Sequence, residues 1–129
     1  LTQGYWKTHS EFGPAPYDDT WAQLPNGAGT PFFLSGKTWY QVFWTPPAGN
    51  AYYNLAHQYM AAKLNILNGA DPAAAQMALN SATTLFNTYT PAQIAALKSS
   101  SSIRKQFIDL AAILDQYNNG YIGPGHCSE

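Results

Sequence analysis

The side chains best suited to coordination or nucleophilic chemistry in this chain are few. There are three histidines, His9, His57 and His126, and one cysteine, Cys127, directly after the last of them. A neutral imidazole offers one nitrogen lone pair. Three such rings converging on one point make a zinc or copper site with a fourth position open to water or substrate. Convergence here requires both chain ends to fold back onto the segment around His57, carrying His9 and His126 to it. The bland expectation for His57 is structural. It falls on an apolar stripe, and a buried imidazole is satisfied by Trp6, tyrosine hydroxyls or backbone carbonyls. No general base stands close to the histidines in sequence. Cys127 follows a Gly-Pro-Gly turn in "YIGPGHCSE" and reads as half of a disulfide, part of a metal site or a bare chain end.

Other motifs fail on spacing. "SGKT" at 35–38 ends like a phosphate-binding loop, but the position of its required first glycine is Pro31. "DQYNNG" at 115–120 matches the first half of a calcium loop, with Asp115, Tyr117, Asn119 and Gly120 in place. The bidentate glutamate that should close the loop is replaced by His126. No G-x-S-x-G elbow is present, and the acids are too scattered to impose a carboxylate pair of the glycosidase kind.

Composition narrows the class. Charged residues are 10% of the 129, against roughly 25% in an average soluble domain. Apolar residues are 46%, so the chain has material for one core, and its surface falls to hydroxyls and amides. Six Lys+Arg against seven Asp+Glu build no basic field for nucleic acid or anionic lipid. A net charge near zero leaves self-association unopposed. There is no apolar run of about 18 residues to span a membrane and no signal peptide. The start at Leu1, without an initiator methionine, reads as a processed or trimmed part of a longer chain.

The elements that must position these residues follow from periodicity and punctuation. Residues 1–37 carry too many Pro and Gly for long elements, so turns and one short helix near 18–23 are expected. Their rings, Tyr5, Trp6, Phe12, Tyr17, Trp21, Phe32 and Phe33, should lie as a lid on the rest. "TWYQVFW" at 38–44 suits a short helix slightly better than a strand. Tyr53, Ala56, His57, Met60, Leu64 and Leu67 recur at helical steps, with Asn54, Gln58, Asn65 and Asn68 on another face. Gly69 stops that helix, and Asp71-Pro72 and Thr90-Pro91 each open another. Helices are therefore expected near 50–68, 72–88, 91–98 and 102–118, as a single-domain all-α bundle. Leu55, Leu64, Leu85, Phe107, Leu110 and Leu114 should be among the most buried side chains.

Three blocks, "TQGYWKTH" at 2–9, "NAYYNLAHQYMAAKLNILNGADP" at 50–72 and "YNNGYIGPGHC" at 117–127, resemble a family of bacterial secreted and cell-surface modules. The likeness covers nearly the whole chain, and the blocks stand in the family's order. All three histidines fall inside them. The family attaches no established activity, but the resemblance implies an exported, extracellular protein. It also implies a cysteine two or three residues before the first block that pairs with Cys127 and ties the ends together. That would set the Trp6 and Gly125 regions side by side over the His57 face.

Two functions compete on these grounds. One is a non-catalytic extracellular building block, a surface, adhesive or filament subunit that contacts copies of itself or cell-surface polymers. In it Trp6, Trp21, Trp39 and Trp44 are candidates for sugar or partner contact, with core packing expected for at least two of them. The other is a small metal-binding protein or metal-dependent hydrolase built on His9, His57 and His126.

Overall fold

A computed structural model describes residues 1–124. Among these the chain is all-helical: α1 (Gln3–Thr8), α2 (Trp39–Phe43), α3 (Ala51–Leu67), α4 (Gln76–Phe86), α5 (Pro91–Ala95) and α6 (Ser102–Asn118), with short 3-10 segments at Asp19–Gln23 and Gly27–Gly29. The one extended pairing among the described residues is an isolated antiparallel bridge between Pro31 and Thr38. Among the described residues no helix is long and apolar enough to cross a membrane.

Five of the six helices start where a side chain can satisfy amides that have no carbonyl one turn back, and α4, which follows Ala75, has no such cap. Asn50 accepts from Tyr52 N at 3.0 Å to open α3, and Ser101 accepts from Arg104 N at 3.3 Å to open α6. Thr38 with Gln41, and Thr90 with Gln93, form reciprocal capping boxes for α2 and α5. Thr2 caps α1, a helix that the periodicity did not announce because it is six residues long with Gly4 inside.

Two expected boundaries move. Asp71 does accept from Ala73 N at 3.0 Å, but Pro72 to Ala75 closes a separate turn, and α4 proper begins at Gln76. α5 stops at Ala95 rather than 98, because Leu97 N turns back to Ile94 O in an i→i+3 bond.

α3 is the hub. Twelve of its 17 residues are buried, and each of the other helices packs against it. A helix buried on most sides belongs at the centre of a fold rather than on its surface. The aromatic residues of the first third are not a lid. Trp6, Trp21 and Phe32 are fully buried, whereas Phe12 and Tyr17 stay exposed. Phe32 reaches Phe86 at a centroid distance of 5.0 Å, and Tyr52, Tyr59 and Phe107 surround the same ring at 5.1, 5.1 and 6.0 Å. Trp21 closes the cluster against Trp39 and Phe43. Large rings entering from an irregular segment fill space that the alanines of α3 and α4 leave between the helices, and edge-to-face geometry adds to their burial. Of the six residues expected in the core, five are buried and Leu110 is half-buried on the rim.

Candidate functional site

His57 projects from the first half of α3 toward the end of α2, and is 7% exposed. Its Nε2 lies 2.7 Å from the Val42 carbonyl oxygen. A carbonyl only accepts, so Nε2 carries the hydrogen and Nδ1 keeps the lone pair. The ring tilts against Phe43 with centroids 5.9 Å apart. Burial holds its pKa below the ordinary imidazole value. Lys7 adds to this, while the Val42 and Thr45 carbonyls work in the opposite direction. His57 is thus held neutral.

His9, the C-cap of α1, is anchored in the same manner by a different carbonyl. Its Nδ1 lies 2.7 Å from Pro16 O, so Nδ1 carries a hydrogen, and in the neutral ring the lone pair is on Nε2. The ring stacks on Tyr5 at 4.0 Å, and the Tyr5 hydroxyl donates to Asp18 Oδ2 at 2.7 Å. Asp18 also accepts from Thr20 N at 3.0 Å. Burial works to raise the Asp18 pKa, but the Tyr5 and Thr20 hydrogen bonds and the nearby His9 outweigh it, and the net shift is downward.

The two rings line separate depressions. His9 shares one with Tyr17, Asp18 and Asp19, and His57 shares another with Gln3, Lys7, Asn54 and Gln58. Among the described residues no three His, Cys, Asp or Glu side chains come together as a metal site. His126, Cys127 and Gly125 lie outside the described residues, as do the disulfide and the third imidazole expected there. With one cysteine in the 129 residues, a disulfide needs a partner beyond them.

The polar centre of the fold is a residue that periodicity placed off the apolar stripe of α3. Asn65 is buried, and its Oδ1 accepts from Leu1 N at 2.9 Å and from Trp6 Nε1 at 3.0 Å. Its Nδ2 donates to Leu1 O at 2.7 Å and to Asn118 Oδ1 at 3.1 Å. Asn118 in turn donates to the Gln58 carbonyl and side chain at 3.0 and 2.9 Å. One amide therefore joins α1, α3 and the end of α6. Leu1 and Pro124 line a single depression beside it, with Tyr117. Its signal in the sequence is an amide directly after Leu64 and one turn beyond Ala61 and Ala62, on a helix most of whose residues are buried.

Three of the four candidate tryptophans, Trp6, Trp21 and Trp39, are buried and offer no face to a sugar or partner, while Trp44 is 41% exposed. Beside it stands Tyr40, four residues earlier and with a centroid 6.1 Å away. Tyr40 was legible only as the i,i+4 partner of Trp44 once 38–44 is a helix.

Protein-family models, curated proteins and solved structures yield no match to this chain.

Proposed function

We propose that this protein is a non-catalytic extracellular building block that assembles with copies of itself. The observation that carries this reading is its surface. The described residues hold one ion pair, the exposed Lys105–Asp109 contact at 2.8 Å, worth little in water. Large apolar side chains stand out at Met77 (84% exposed), Tyr121 (80%) and Phe12 (60%), with Ile108 and Ile113 exposed along α6. A surface of amides, hydroxyls and dispersed apolar groups carries little charge to desolvate when copies pack, and a net charge of −1 gives no repulsion between them. The resemblance to secreted and cell-surface modules supports the extracellular setting. Electron microscopy of native material tests the reading: ordered assemblies support it, and dispersed single particles at high concentration count against it.

A metal-binding protein, with zinc or copper on His9, His57 and His126, is the competing proposal, and it requires the His9 and His57 rings to leave the separate depressions they line here. It draws on two imidazoles that are each oriented by a carbonyl and keep one lone pair, an arrangement common behind metal-bound histidines. Elemental analysis of the purified protein decides it. Stoichiometric zinc or copper that is lost in His57→Gln supports a site, and its absence leaves the histidines as structural pins.

A further inference from the structure

Phe12, Tyr40 and Trp44 form a short aromatic track on the surface, next to the depression that His57 lines. Tyr40 and Trp44 project from one side of α2, their planes only 31° apart. Phe12 stands edge-on to Tyr40 at 5.3 Å and 87°, as a wall. The platform is held in place before any ligand arrives. Trp44 Nε1 donates to Lys7 O at 3.2 Å, and Lys7 Nζ lies over one face of the indole, 4.2 Å from its centroid, so a ligand stacks on the opposite face. Lys7 also borders the adjoining depression, floored by Phe43 and edged by Gln3 and Asn54. The side-chain amides of Gln3 and Asn54 make no hydrogen bond among the described residues.

We infer that this track binds a neutral polysaccharide of equatorially linked pyranose units. Such a chain presents C–H faces that lie on aromatic planes, and successive units need successive rings at the small mutual tilt seen here. Its rim of hydroxyls both donates and accepts, which suits free amides, and an apolar floor with a few fixed polar groups is the usual form of a small-ligand site. One lysine is too little for a polyanion. A second copy of the chain is the less favoured occupant. Three partly exposed rings of at most about 150–250 Å² each fall short of the roughly 800 Å² that each partner buries in a stable interface. The inference does not depend on assembly.

The test is titration of the full chain with cellohexaose and chitohexaose, read by tryptophan emission and calorimetry. Saturable binding to either is expected, with an emission change carried by Trp44 because the other three tryptophans are buried. Trp44→Ala should abolish the emission change and weaken binding at least tenfold, and Tyr40→Ala should weaken it with helicity unchanged. Phe12→Ser, on an exposed loop, serves if Trp44→Ala does not fold. The proposal is overturned if neither sugar binds, or if binding persists in all three variants. It is equally overturned if neither sugar binds and Trp44→Ala disrupts self-association, since the track would then be an interface between copies.

Discussion

At the scale of single residues, two buried polar groups make opposite predictions. Asn65 satisfies Leu1, Trp6 and Asn118 at once. Asn65→Leu strands those groups inside the fold, and each buried donor or acceptor left unmade costs about 1–3 kcal/mol. Chemical denaturation should show a loss at or above that range. The Tyr52 hydroxyl is buried with no partner among the described residues, so Tyr52→Phe removes a group that contributes only desolvation. It should leave stability unchanged or raised.

His57 adds a pH dependence. Its folded pKa lies below the ordinary 6.5, first because of burial. The unfolded chain therefore takes up a proton that the folded chain refuses, and stability falls as pH drops below about 6.5. Asp18, lowered from 3.8, acts in a separate, more acidic window: its stabilisation is present above that value and is lost as pH falls through its folded pKa. Denaturation midpoints between pH 7 and 5 should decline in the parent and stay flatter in His57→Gln.

At the scale of elements, the long amphipathic segments were legible because their burial follows a 3.6-residue period and their ends carry caps. The bounds of α6, 102–118, were read to the residue from the Phe107, Leu110 and Leu114 stripe, although its cap is Ser101 and not the last serine of the run 99–102. The short helix expected near 18–23 is present as the 3-10 segment Asp19–Gln23, but α1 and the packing of the first third were not legible, because Trp6, Trp21 and Phe32 are buried by tertiary contacts with α2, α3 and α4 that no local period records. The same logic misplaced Asn65, whose burial depends on the chain end and α6 rather than on its own helix. Burial differences within α6 predict a graded cost. Leu114→Ala, at a fully buried site, should lose about 2–5 kcal/mol, and Leu110→Ala, half-buried, should lose clearly less. Between α2 and α3 the chain turns through Ala48 at φ +48°, a left-handed conformation that costs a residue with a Cβ roughly 1 kcal/mol. Ala48→Gly should therefore raise the melting temperature slightly.

At the scale of the whole molecule, composition already pointed to a surface poor in charge, and the fold distributes apolar side chains over it at Phe12, Met77, Ile108, Ile113 and Tyr121. The candidate histidines were legible as residues but not as geometry. Their carbonyl anchors, Val42 O and Pro16 O, depend on how α2 meets α3 and how the loop after α1 returns. The central claim is self-assembly, and sedimentation of the purified chain over a wide concentration range tests it most directly. The account predicts growth from monomer to large, regular species as concentration rises, with little change between low and high salt because few charges take part. A single monomeric species at every concentration and salt would contradict it.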